Sequence, residues 1–154
     1  MLKEISLDEI KKFWPEKAPD INIVQKYVSK YEKEKIVIKY GGNVLIDRKV
    51  FNNFISDIYV LNKLGLSIIV VHGGGPRIKR ELDKKKIVSK FINGLRVTDK
   101  HIIDTVEDVL IDFNKDIVNS LKNLGSETAS FHSKNDNIIE VEPEKEELGF
   151  VGIP

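Results

Sequence analysis

The chain has 154 residues, 41% of them hydrophobic and 32% charged, with a formal net charge of +1, so one compact domain is expected and the electrostatic case for nucleic acid is absent. It contains no cysteine, which excludes disulfides and thiolate chemistry, and His72, His101 and His132 are too scattered to suggest a zinc site. No apolar run approaches the ~20 residues that span a membrane, and the N-terminus lacks a signal-peptide core, so the cytoplasm is the expected compartment.

The first 34 residues read as helical and separate from the rest. Ser6 with Glu9 makes a capping box for a short helix that Pro15 stops. Pro19 and Asp20 start a second helix, in which Val24, Tyr27, Val28 and Tyr31 fall on one face. That face packs on the core of its own domain, or it forms an arm against another subunit.

From Lys35 the pattern becomes β/α. Residues 35–40 predict a strand. A helix follows with Phe51, Phe54, Ile55, Ile58 and Leu61 on one face and Gly65 as its end. A second strand is expected over 67–72 and a lysine-rich helix over about 76–85. Asn93-Gly94 marks a hairpin within Ile87 to Val97. Thr98 or Asp99 caps a long helix that turns Ile102, Val106, Val109, Leu110, Phe113, Ile117 and Leu121 inward, and Gly125 ends it. Two short strands, about 127–132 and 137–142, are expected around Asn135-Asp136. Alternating strands and helices imply an α/β fold: a mostly parallel sheet with helices on both faces, plus the N-terminal helix and a β-hairpin. Neither repeats nor low-complexity linkers interrupt it.

Two segments carry the chemistry. Ile68-Ile-Val-Val-His-Gly-Gly-Gly-Pro76 is an apolar strand that ends in three glycines, with a proline suited to the first helical position. Ile36-Val-Ile-Lys-Tyr-Gly-Gly-Asn43 repeats the theme with two. A strand, a glycine turn and a helix N-terminus make an anion site, because the backbone can approach closely and free N–H groups point at negative charge. Two such loops, Gly41 and Gly42 in one and Gly73 to Gly75 in the other, suggest a phosphate or carboxylate held between two strand ends. Lys39 sits where open α/β sheets place their ligands. It could balance charge on a transferring phosphoryl group, or it could simply reach water. Arg96 offers a planar fork for a carboxylate, or a hairpin salt bridge. His72 reads as a satisfied core histidine rather than a base. Lys84 to Lys86 read as a solvated helix end.

Taken in order and spacing, these two segments and Phe91-Ile-Asn-Gly-Leu-Arg-Val-Thr-Asp99 resemble the N-acetylglutamate kinases, within the amino-acid kinase family. Val106-Glu-Asp-Val-Leu110 with Asn114-Lys115 looks like that family's long helix. Leu148-Gly-Phe-Val-Gly152 looks like the place where its substrate half hands over to its nucleotide half. The resemblance runs from about residue 21 to the end.

It implies phosphorylation of the side-chain carboxylate of N-acetyl-L-glutamate by ATP with magnesium, a step of arginine biosynthesis. By that resemblance Lys39 stabilises the transferring phosphoryl, and Gly41 and Gly42 lie along the phosphates. Gly74 and Gly75 hold substrate through backbone N–H groups, and Arg96 pairs with its α-carboxylate. Residues 35–154 would form the substrate-binding half, with the nucleotide-binding half, adenine pocket included, absent and the chain inactive alone. Residues 1–34 would be a helical extension. Arginine-inhibited members carry such a helix and use it to join dimers, so a homo-oligomer is expected. Phe131-His-Ser-Lys-Asn-Asp136 departs from the glycine-containing turn common there, and no ligand role is assigned to it. Two other readings stay open: a non-catalytic acetylglutamate-binding or regulatory module, and a sister kinase for another carboxylate.

Overall fold

The computed structural model describes residues 7–31, 34–41, 47–132, 134 and 139–154. Strand β1 (Lys35–Tyr40) leads through helix α3 (Arg48–Lys63) to strand β2 (Ser67–His72), and the two strands pair in parallel. Asp47 caps α3 by accepting from Lys49 N at 2.7 Å, and Gly65 follows its last turn. The crossover helix exists because residues 48–63 place a stripe at helical spacing, with Ile55, Ile58 and Tyr59 buried.

Strand alternation then decides which face is covered. Ile38, Tyr40, Ile68 and Val70 turn toward α3 and α5 (Lys100–Asn123) and join a core of Ile55, Ile58, Phe113, Ile117 and Leu121. The expectation of helices on both faces is met on this one among the described residues. On the other, Val37 is 63% exposed, and Ile69 and Val71 are also exposed.

Helix α4 (Gly75–Lys84) packs on α5 through Ile78, Leu82 and Ile102. The hairpin forms where expected: β3 (Phe91–Ile92) pairs antiparallel with β4 (Leu95–Arg96). Asn93 and Gly94 both have positive φ, 50° and 81°, as a two-residue primed turn requires. Asp99 is the cap of α5, accepting from Ile102 N at 2.9 Å.

At the N-terminus, α1 (Leu7–Lys11) and α2 (Ile21–Val28) dock on α3 of the same chain through Ile10, Ile21 and Val60. Trp14 braces the connection by donating from Nε1 to Pro19 O at 3.0 Å. The apolar face expected on α2 is only partly used: Val24 and Val28 are half-buried, whereas Tyr27 and Tyr31 are exposed. Ile21, one turn before Val24 on the same face, makes the buried contact with α1 and α3. Ser6 of the expected capping box lies outside the described residues.

The strand expected over 127–132 does not form. Hydroxyl residues offer the backbone a local alternative to ladder bonds, and Thr128 Oγ1 donates to Ser126 O at 3.4 Å. Of the strand expected over 137–142, residues 137–138 and the Asn135-Asp136 turn lie outside the described residues, and the rest contributes only the start of β5 (Glu142–Pro143), which pairs with β6 (Gly152–Ile153). Thr98 bridges to Gly149, with Thr98 N donating to Leu148 O at 2.9 Å and Phe150 N to Thr98 O at 2.8 Å. Gly149 has φ +68°, and a Cβ there would collide with the Thr98 carbonyl oxygen. Only glycine allows this close pairing.

Candidate functional site

The site is built by strand register. Lys39 lies beside Val71 and Tyr40 beside His72, so β1 and β2 end level with each other. Gly73 N donates to Tyr40 O at 3.3 Å, tying the second glycine loop to the residue before the first. Gly41 and Gly73 therefore leave the sheet side by side at its C-terminal edge, the place where open α/β sheets bind ligands. Gly42 lies outside the described residues. Lys39 is exposed, and strand alternation puts it on the open face with Val37.

The second loop opens directly into α4. Gly74 is its N-cap and Gly75 its first residue, with Pro76 in the first turn. Ile78 N donates to Gly74 O at 2.8 Å, the first bond of the helix. Helix geometry leaves the N–H groups of that first turn without intrahelical partners, and the helix dipole adds partial positive charge there. Gly74 lies close on α5: a Cβ at this position would stand 2.7 Å from Leu110 Cδ2. The close approach, rather than φ, is what favours glycine here.

Arg96 is on the hairpin that follows α4. It donates from Nη1 to Ser89 Oγ and stacks over the Phe91 ring at 4.7 Å. Its salt-bridge reading is not borne out among the described residues, where no carboxylate pairs with it. The structure thus brings together Lys39, Gly41, Gly73, Gly74 and Gly75, and sets Arg96 on a separate element beyond α4.

His72 is half-buried and meets the Phe113 ring edge-on at 4.7 Å. Its Nδ1 lies 3.4 Å from Gly73 O. Burial lowers its pKa below the ordinary value, the Gly73 carbonyl opposes that shift, and Arg77 adds to it. A neutral imidazole in an aromatic contact matches the core reading of this residue. Tyr40 is buried, stacks on Phe54 at 3.7 Å, and has its pKa raised by burial against a smaller opposing effect of Arg77.

Sequence reasoning missed Arg77, Asp116, and Phe113 as a contact of His72 and Arg77. Arg77 Nη1 donates to Asp116 Oδ2 at 2.6 Å, and its guanidinium lies 4.2 Å over the Phe113 ring. A cavity of about 530 Å³ runs along β2, bounded by Ile69, Val71, Ile117, Leu121, Ser126 and Phe131. None of the glycines of the two loops lines it. Among the described residues no group of three His, Cys, Asp or Glu side chains could hold a metal ion, and no helix is long and apolar enough to cross a membrane.

Parallel strands ending at paired glycines, with a lysine at the strand end and a helix N-terminus after the second, make up an α/β domain. The profile of the amino acid kinase family matches residues 34–145, and the chain belongs to that family. It is 51% identical over 147 residues to the acetylglutamate kinase of Pelagibacter ubique (strain HTCC1062), covering 96% of this chain and 51% of that protein. A crystal structure of smu.665 from Streptococcus mutans UA159 superposes with a TM-score of 0.65 at 29% identity, over 77% of this chain and 48% of the other. The N-acetylglutamate synthase of Neisseria gonorrhoeae complexed with coenzyme A and N-acetyl-glutamate shares the fold, with a TM-score of 0.65 at 18% identity over 86% of this chain and 32% of that one. The chain spans about half the length of the curated relatives it matches.

Proposed function

We propose that this chain is the substrate-binding half of an acetylglutamate kinase, which transfers phosphate from ATP to the side-chain carboxylate of N-acetyl-L-glutamate in arginine biosynthesis. The observation that carries this reading is the level, parallel pairing of β1 and β2, with Gly73 N bonded to Tyr40 O. It supports a shared edge at which two anions, a carboxylate and a phosphate chain, are brought together. The residues present fit the phosphate end of ATP: an exposed ammonium and glycine-loop N–H groups have the right sign and reach. ATP with magnesium supplies the phosphoryl group when bound.

Within this reading each residue has one task. Gly74 and Gly75 present N–H groups at the head of α4 to the substrate. Arg96 pairs with the α-carboxylate by its planar fork, exchanging Ser89 for the ligand. Gly41, Gly42 and Gly73 lie along the phosphates. Lys39 is the catalytic residue, offsetting the repulsion between carboxylate and phosphate and the charge that develops between them. The protein works in the cytoplasm as a homo-oligomer, the exposed Tyr27 of α2 and Tyr31 in the turn after it being available to a second subunit. Residues 35–154 act as the substrate half and 1–34 as a helical extension.

A second reading is a module that binds acetylglutamate and catalyses nothing. Calorimetry tests the shared core of both. N-acetyl-L-glutamate should bind the chain, and Arg96→Ala should weaken it roughly 10–150-fold, the value of a charge-assisted pair. Undiminished affinity in Arg96→Ala would defeat the carboxylate assignment and favour a sister kinase.

A further inference from the structure

The strand residues that precede Gly41 and Gly73 both lie around one buried ring. Phe113 of α5 is fully buried. Tyr40, just before Gly41, has its ring 6.3 Å away. His72, just before Gly73, meets Phe113 edge-on at 4.7 Å. Arg77, two residues after Gly75, covers the ring at 4.2 Å and bonds Asp116 at 2.6 Å. Gly74 itself lies on Leu110. Positions 110, 113 and 116 are three apart and form one ridge of α5 beneath the loop.

We infer that Arg77 is a positioning residue, whose guanidinium, held by Phe113 and Asp116, fixes the start of α4 and so the direction of the Gly73–Gly75 N–H groups. Three successive glycines have the greatest backbone freedom of any such run. N–H groups recognise an anion well only when their directions are set beforehand. His72 pins the chain as it enters the loop, and Arg77 pins it as it leaves. An exposed ion pair by itself contributes little. Here the arginine is 25% exposed and stacked on a buried ring, so its charge is partly desolvated and its rotamer is fixed from two sides. Arg77 touches no substrate in this scheme and acts through the loop.

Backbone N–H order parameters measured by NMR on the ligand-free chain test this directly. In wild type, Gly73, Gly74 and Gly75 should behave as rigid backbone, at about 0.85, and in Arg77→Gln they should fall below about 0.6. Arg77→Lys should lie between, because it keeps the charge and loses the planar stack. Residues 117–121 of α5 should stay rigid throughout. Unchanged loop values, or a loss spread over the whole chain, would overturn the inference. Should Arg77→Gln fail to fold, Asp116→Asn carries the test, with a smaller loss confined to the same three glycines, and no loss there overturns it. A second arm rests on the proposed function: N-acetyl-L-glutamate affinity should fall about tenfold in Arg77→Gln, within what an ångström of misplacement costs, and recover in part in Arg77→Lys. Wild type that binds no acetylglutamate would defeat the functional reading, while the order parameters would still decide this one.

Discussion

Replacing Gly74 by alanine tests whether the second glycine loop rests on α5. The new methyl would stand 2.7 Å from Leu110 Cδ2 and 3.4 Å from Ile78 Cδ1. The first distance is well inside the optimum of about 3.5–4.0 Å for two carbons, so one partner must move. Leu110 Cδ2 is the end of a flexible side chain, which leaves two escapes. Either Leu110 leaves its rotamer, at about 0.5–1.5 kcal/mol, or the loop lifts and the helix start is strained, at about 1–3 kcal/mol. Alanine is also the poorer N-cap. A net loss of about 1–3 kcal/mol is expected. Leu110→Ala alone should cost about 2 kcal/mol, the low end for leucine because the residue is only half-buried. In the double variant the clash is gone, so its loss should fall short of the sum of the two single losses by about 1 kcal/mol or more. Urea unfolding of the four proteins measures this. Losses that add to within about 0.5 kcal/mol would mean that the loop does not sit on Leu110, and the reasoning from close approach would fail.

Three further outcomes are expected. Gly149→Ala should destabilise by about 2 kcal/mol or more, since alanine is strained at φ +68° and its Cβ meets the Thr98 carbonyl; a thermal midpoint equal to wild type would refute this. His72 has a folded pKa below its unfolded value of about 6.5, so its contribution is fully present above that pH and is lost as pH falls through the folded pKa. Stability measured from pH 7.5 to 5 should therefore fall on acidification, and His72→Gln should flatten that slope; an unchanged slope counts against the burial argument. With the nucleotide half supplied, Lys39→Ala should collapse kcat while leaving acetylglutamate affinity nearly intact, and the 154-residue chain alone should turn over no ATP in a coupled assay.

The parts of the fold that the sequence announces are those with local causes. β1 and β2 are apolar runs closed by glycines, and both appear at residues 35–40 and 67–72 as expected. The primed turn follows from Asn93-Gly94, and the start of α5 from Asp99. Their juxtaposition follows from the parallel pairing that a helical crossover imposes. What was not legible depends on partners far along the chain. Arg77 and Asp116 are 39 residues apart, and only the packing of α4 on α5 brings them together. The periodicity of α2 marks a stripe but not its partner, so Ile21 rather than Tyr27 is buried. Residues 127–132 read as a strand because each is tolerated in one, yet their hydroxyls favour local bonds over a ladder.

The most direct measurement of the central claim is an NMR titration of the isotopically labelled chain with N-acetyl-L-glutamate. The account predicts saturable shifts concentrated at the amides of Gly73, Gly74 and Gly75 and at the Arg96 guanidinium, with α1 and α2 silent. An absence of saturable shifts, or shifts gathered at Ser126 and Phe131 around the cavity along β2 while the glycines stay still, would contradict it.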